Sequence, residues 1–190
     1  MLRGLVDSVC RLITKTQIRR KHISVASSVT INGLCKFLSD SPGSIKIGDV
    51  SSINSGRRFN PIGGDTYSLL RTIGNGKIFI GSNVGISNST IVARESVAIE
   101  DNVRIGGSCK IYDNDFHSIN IEKRISENDD DIKTAPVLIK NGAFVGAHSI
   151  ILKGVTIGEK SVIGAGSVVT KNVPDGEIWA GNPARFVKKL

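Results

Sequence analysis

Cysteines, aromatic residues and long apolar runs are all scarce in this chain of 190 residues. The three cysteines, Cys10, Cys35 and Cys109, are odd in number and never stand as C-x-x-C. That excludes a disulfide framework and a cysteine zinc site, and it points to a reducing compartment. Aromatic residues make up 5% of the chain, too few for a core of large rings. No apolar run approaches the ~20 residues a membrane-spanning helix needs. The N-terminus has no apolar stretch followed by a small-residue cleavage site, so a cytoplasmic location is expected. Acidic residues are in the minority, 17 against 25 Lys and Arg, and the formal net charge is +8. This excess favours anionic partners. With no zinc-finger spacing, no aromatic RNA-binding consensus and no basic region joined to heptads, nucleic acid is not expected, and a phosphate-bearing small molecule is the economical reading.

Glycine is plentiful, with 21 residues, and so are Ile and Val. A tightly wound all-β structure suits that mixture. Its period is visible: Ile139, Val145, Ile151, Ile157, Ile163 and Val169 follow one another at intervals of six. The same interval runs through Ile80, Ile86 and Val92, then through Ile99, Ile105 and Ile111 after a slip in phase, with a shorter trace at Ile47, Ile53 and Phe59. A period of six suits neither a helix at 3.6 nor a lone amphipathic strand at 2, but it does suit short strands joined by tight corners. An ordinary β-sandwich would need alternating strands and longer turns. The aliphatic residues are expected to stack inward in columns, with Gly81, Asn83, Asp101, Asn102, Gly158 and Gly164 easing the corners.

The repeat divides the chain into a segment 1–44 and a repeat domain 45–190, broken by inserts at 60–79 and 114–136. Leu2, Leu5, Val6, Val9, Leu12 and Ile13 have helical spacing, beside a basic face of Arg3, Arg11, Lys15, Arg19, Arg20 and Lys21. Two readings stay open for residues 2–21: a helix capping the open end of the coil, or a weak peripheral contact with an anionic membrane. The second insert carries an Asp-rich stretch within 126–134 and begins beside His117. A long loop in a compact repeat fold is usually functional or disordered.

The repeats, the His117 loop and the closing Gly181-Asn-Pro-Ala-Arg-Phe-Val resemble the hexapeptide-repeat acyltransferases, especially the branch with galactoside, maltose, xenobiotic and polysaccharide O-acetyltransferases. The resemblance covers roughly residues 78–190. It implies a left-handed parallel β-helix, against the usual hand of parallel crossovers, a homotrimer with active sites between subunits, and acetyl-CoA as cosubstrate.

By that resemblance His117 matches the catalytic histidine, and an imidazole exchanges protons near neutral pH. Asn88, in Ile86-Ser-Asn-Ser-Thr-Ile, matches the active-site asparagine; alternatively it accommodates a corner. Asp113 and Asp115 would orient the imidazole or reach the acceptor sugar, or are solvated loop carboxylates. Phe144, Ala147, Ala165, Thr170, Lys171, Arg185 and Lys188 are the residues to which the resemblance assigns acetyl-CoA. His148 lies within a regular hexad and is expected to pack or face a neighbour. His22 lies outside the repeats, and His117 and His148 are 31 residues apart, so the three-histidine metal site of this fold's carbonic anhydrases does not form and no metal is expected. The expected activity is O-acetylation of a sugar or surface-polysaccharide precursor. Acetylation of an amino sugar and a non-catalytic binding module are the alternatives.

Overall fold

The computed structural model describes residues 2–64, 66–126 and 131–190; Asp129 and Asp130 of the Asp-rich stretch lie outside the described residues. Helix α1 (Leu2–Arg20) precedes six coils of three short strands each. The first coil is β1 (Ser24–Val25), β2 (Thr30–Asn32) and β3 (Lys36–Ser39); the second is β4 (Ile45–Ile47), β5 (Ser52–Asn54) and β6 (Leu69–Thr72). The third is β7 (Lys77–Ile80), β8 (Gly85–Ser87) and β9 (Thr90–Ala93), and the fourth β10 (Ser96–Ile99), β11 (Arg104–Ile105) and β12 (Lys110–Tyr112). After a short helix α2 (Ile121–Arg124) come β13 (Val137–Ile139), β14 (Phe144–Val145) and β15 (Ile150–Ile151), then β16 (Thr156–Ile157), β17 (Val162–Ile163) and β18 (Val168–Val169). Strands β19 (Glu177–Gly181) and β20 (Ala184–Lys189) close the chain.

Every third strand pairs in parallel, giving three sheets: a first face from β1 to β16, a second from β2 to β20 and a third from β3 to β18. This is a left-handed β-helix, a three-sided prism with one strand per face in each coil. The inner columns are aliphatic as the six-residue period requires: Ile139, Val145, Ile151, Ile157, Ile163 and Val169 are all fully buried. Each such side chain contributes about 1.5–3 kcal/mol through burial.

Three boundaries differ from the sequence reading. The helix of strands begins at Ser24, one coil before residue 45, because Val25, Ile31 and Phe37 already carry the period. The first insert runs from 55 to 68, and 69–80 belong to β6 and β7, so Leu70 and not Phe59 is the stacked residue of the second coil. In the third coil Ile91 pairs with Ile111 while Val92 pairs with Tyr112, so the inward residue is Ile91. That coil turns from its second to its third face in five residues, and the slip is absorbed in the following corner.

The corners use two devices. Asn83 and Asn102 take the left-handed conformation, with φ 54° and 61°, and Asn83, Asn102 and Asn141 form a side-chain ladder with 2.8 Å steps. Gly158 has no positive φ; a Cβ there would meet the Asp175 backbone nitrogen at 2.4 Å, so this glycine permits coils to approach.

Helix α1 lies on the first coil, where the Gln17 side-chain oxygen accepts from the Phe37 N–H at 2.8 Å and the Lys21 ammonium donates to the Ser39 carbonyl at 3.0 Å. Thr14 is buried against that coil and Ile18 packs on the core. Val6, Val9, Leu12 and Ile13 are exposed, and Leu12 and Ile13 line a shallow groove between the helix and Phe37 and Leu38 of β3. The capping contact is made by Thr14, Gln17, Ile18 and Lys21, and the apolar Val6, Val9, Leu12 and Ile13 stay largely exposed beside it.

Candidate active site

Asp113 ends β12 at the corner between the third and first faces of the fourth coil. Its carboxylate accepts from the backbone N–H of Arg94 (2.8 and 3.0 Å) and Glu95 (2.7 Å) and from the Asn114 side-chain amide (2.9 Å). It is fully buried. The returning strand of the loop closes on the same point: Ala135 N–H donates to the Asp113 carbonyl, Asp115 N–H to that of Lys133, and Asn114 bridges Thr134. The His117 loop thus leaves the prism from a rigid base. Asp113 is thus not the solvated loop carboxylate of one sequence reading, since it is fully buried and bound to backbone N–H groups. Asp115 is ion-paired with Lys153 of the fifth coil at 2.5 Å, so its carboxylate too is engaged with the protein.

His117 is exposed at the outer side of this base, its N–H donating to the Asp115 carbonyl at 2.7 Å. Beside it the Phe116 ring packs edge-on against Tyr112, centroids 4.9 Å apart, and burial pushes the Tyr112 phenol up from its ordinary pKa. The loop continues with Ile119, Ile121 and Ile125, all more than 60% exposed.

Asn88 occupies the corner that one of its two sequence readings gave it. It sits at the corner between the second and third faces of the third coil with φ 42°, fully buried. Its side-chain oxygen accepts from the Gly56 N–H at 2.6 Å and its NH2 donates to the Asn60 carbonyl at 3.0 Å. Both ends of the amide therefore hold the 55–68 insert. The insert is fixed again where the Ser108 hydroxyl donates to the Gly63 carbonyl, and a Cβ on Gly107 would stand 3.0 Å from the Gly63 Cα.

The insert overhangs a groove of about 440 Å³ on the second face. Strand register defines its floor. One outward row runs Ser52, Gly85, Arg104 and Phe144; Asn54 and Ser87 pair in a second, with Gly106, Gly107 and Ala147 at the corners beyond. Gly85 leaves room for Arg104, whose Cδ would stand 3.0 Å from a Cβ there. Asn60 and Ile62 of the insert form a wall.

The other residues expected to hold acetyl-CoA fall on two edges of the prism. Phe144, Ala147 and Ala165 follow the second face and its corner with the third, and Arg185 and Lys188 stand exposed on β20 at the end of the second face. Thr170 and Lys171 lie after β18 at the corner between the third and first faces, the same edge that carries His117. Within one chain, His117 and the groove are not brought together. His148 is exposed at a corner with φ 62°. Among the described residues no cluster of His, Cys, Asp or Glu could hold a metal ion, and no helix is long and apolar enough to cross a membrane.

The groove-lining Asn54, Ser87, Arg104 and Ile62 were missed by sequence reasoning. Asn54 and Ser87 follow inward residues of their hexads by one position, the only signal they carry.

Residues 136–171 match the family described as bacterial transferase hexapeptide (six repeats). The galactoside O-acetyltransferase of Escherichia coli K12 is 37% identical over 117 residues, 58% of this chain and 56% of the relative. The chain thus spans little more than half of that relative's length. Among solved structures, AntD, an N-acyltransferase from Bacillus cereus in complex with dTDP and 3-hydroxybutyryl-CoA, superimposes with a TM-score of 0.70 at 25% identity, covering 92% of this chain and 87% of that one. A hexapeptide transferase family protein from Anaplasma phagocytophilum does so with a TM-score of 0.62 at 28% identity, covering 88% and 78%.

Proposed function

Because the chain belongs to the hexapeptide-repeat acyltransferases, we propose that it is an acetyl-CoA-dependent O-acetyltransferase acting on a hydroxyl of a sugar or a surface-polysaccharide precursor. The observation that carries this reading is the division of the candidate residues between two edges of one prism, with an exposed His117 on a rigid base at one and a groove beside Phe144 and Ala147 at the other. A homotrimer would set the His117 edge of one subunit against the groove of the next. Ile119, Ile121 and Ile125 offer the apolar surface for that contact.

In this arrangement the small Ala147 and Ala165 leave a channel for the pantetheine arm along the coil, and Phe144 flanks the thioester. Arg185 and Lys188 meet the CoA phosphates, joined by Thr170 and Lys171 of the neighbouring subunit. His117 takes the proton from the acceptor hydroxyl as its oxygen attacks the thioester carbonyl. The new C–O bond forms, the C–S bond breaks, and the imidazolium returns its proton to the CoA sulfur. Asn88 acts indirectly, as the anchor of the insert.

A second reading, transfer to an amine, is favoured by the likeness to an N-acyltransferase. Thiol release from acetyl-CoA with matched hydroxy and amino sugars separates the two, and acceptor-dependent turnover that His117→Ala abolishes supports the mechanism. Equal turnover in wild type and variant would remove His117 as the base.

We place the protein in the cytoplasm on its unpaired cysteines. The exposed Val6, Val9 and Leu12 of α1, with exposed Arg19 and Arg20 on the same helix, support a peripheral contact with anionic membrane. Co-sedimentation with phosphatidylglycerol vesicles but not phosphatidylcholine vesicles tests it, and equal recovery with both would count against it.

A further inference from the structure

The first coil has no strand before it, and α1 closes its open end unevenly. At β3 the closure is tight: Phe37 is buried and its N–H donates to the Gln17 side-chain oxygen at 2.8 Å. At β1 and β2 it is looser, and Val25, Val29 and Ile31 pack against the core while only partly buried. The Thr30 N–H is spent on the Ser51 carbonyl of the second coil at 3.0 Å, so the next N–H along β2, that of Ile31, turns toward the open end as that of Phe37 does on β3. Among the described residues no side chain meets it as Gln17 meets Phe37.

Between α1 and these strands lies a groove of about 420 Å³, within the roughly 300–1,000 Å³ of small-molecule sites. Ile18, Val25, Val29 and Ile31 give it an apolar floor, while Arg11 and Lys15, one helical turn apart and exposed, line it from α1. None of the described residues that line it is acidic, and neither cation is ion-paired among the described residues. Thr14 lies between the two cations in sequence and lines the same groove. Its side chain is only 3% exposed, and its hydroxyl has no hydrogen-bond partner among the described residues. A buried hydroxyl without a partner costs stability, and a ligand atom that accepts from it recovers that cost. Beside two unpaired cations the fitting acceptor is the oxygen of an anion. The floor then calls for an aliphatic chain on the same molecule.

We infer that the groove between α1 and the first coil is a second ligand site, separate from the groove on the second face, and that it takes a free aliphatic carboxylate. The acid group meets the Thr14 hydroxyl and the Arg11 and Lys15 cations, and the chain covers Val25, Val29 and Ile31. Such a ligand would hold α1 against the first coil. The site requires neither acetyl-CoA nor chemistry at His117.

Titration calorimetry on the full chain near neutral pH, with octanoate, acetate and octylamine, tests the pairing of charge and chain. Octanoate should bind about tenfold more tightly than either of the others. Arg11→Gln together with Lys15→Gln should weaken octanoate about tenfold. Thr14→Val keeps the shape and removes the hydroxyl; it should weaken octanoate roughly three- to tenfold and raise the melting temperature of the unliganded protein. In methyl NMR, octanoate should shift Val25, Val29 and Ile31 and leave Ala147 unmoved. A membrane lipid offers the same chemistry, so dihexanoyl phosphatidylglycerol is titrated as well and should bind more weakly than octanoate. Tighter binding of that lipid, octanoate held no better than acetate or octylamine, affinity unaltered in both variants, or shifts confined to the second-face groove would overturn the inference.

Discussion

Asn88 and Asn60 are 28 positions apart, yet the Asn88 side-chain NH2 donates to the Asn60 carbonyl at 3.0 Å while its oxygen holds Gly56. A residue with the sequence setting of a catalytic amide is here a buried latch. Asn88→Ala strands two backbone groups, each costing about 1–3 kcal/mol when left unpaired. Thermal unfolding should show a loss of roughly 3 kcal/mol, with protease sensitivity appearing first between residues 55 and 68. Wild-type stability together with lost turnover would return Asn88 to the chemistry.

His117 gives the opposite pattern. Its exposure means that His117→Ala leaves the melting temperature within a degree or two, while kcat falls about 10²–10⁴-fold if it is the base. Steady-state kinetics and a melting curve on the same preparation check both halves.

Asp113 and Asp115, two positions apart, should separate sharply. Asp113→Ala removes the acceptor of two backbone N–H groups in a fully buried corner and is expected to cost about 3 kcal/mol. Asp115→Asn breaks only a partly exposed ion pair with Lys153, worth about 1 kcal/mol or less. Denaturant titration of the two variants decides it; comparable losses would mean that the base of the loop is not built as described.

The thiols offer a readout of folding. Burial pushes Cys35 and Cys109 up, far from thiolate formation at neutral pH, while Cys10 on α1 is partly exposed. Native protein should take one alkyl label, at Cys10, and denatured protein three. Labelling of Cys109 in the native state would contradict the closed fourth coil.

The columns of the last two coils are legible in sequence because every corner there has the same length, so Ile139 through Val169 keep step. The first coil carries the same period at Val25, Ile31 and Phe37, but the insert after Asn54 cuts it off from the later repeats and hides its phase. Val92 misleads for a related reason: a corner shortened by one residue moves Ile91 inward while the spacing from Ile86 still favours its neighbour. The corner position of Asn88 was legible, but its grip on the insert and the bonds of Asp113 were not. Their backbone partners lie 18 to 32 positions away, and a polar residue at a corner looks the same whether it latches an insert, closes a loop or meets a substrate. Which residues of α1 meet the coil was hidden too, since helical spacing fixes which residues share a face but not which face is covered.

A stack of parallel strands invites its own continuation, since each open end is a template for another molecule's coil. In this chain the second face ends differently. After β19 the chain reverses, and β20 pairs antiparallel with Glu177 opposite Lys189 and a bulge between Ile178 and Trp179. An incoming coil would meet a reversed, bulged strand and a border bearing Arg185, Lys188 and Lys189. At the opposite end Gln17 already occupies an edge N–H of β3. The last edge of the second face and one edge N–H of the first coil thus carry chemistry that does not repeat, which disfavours end-to-end addition of another coil at those points.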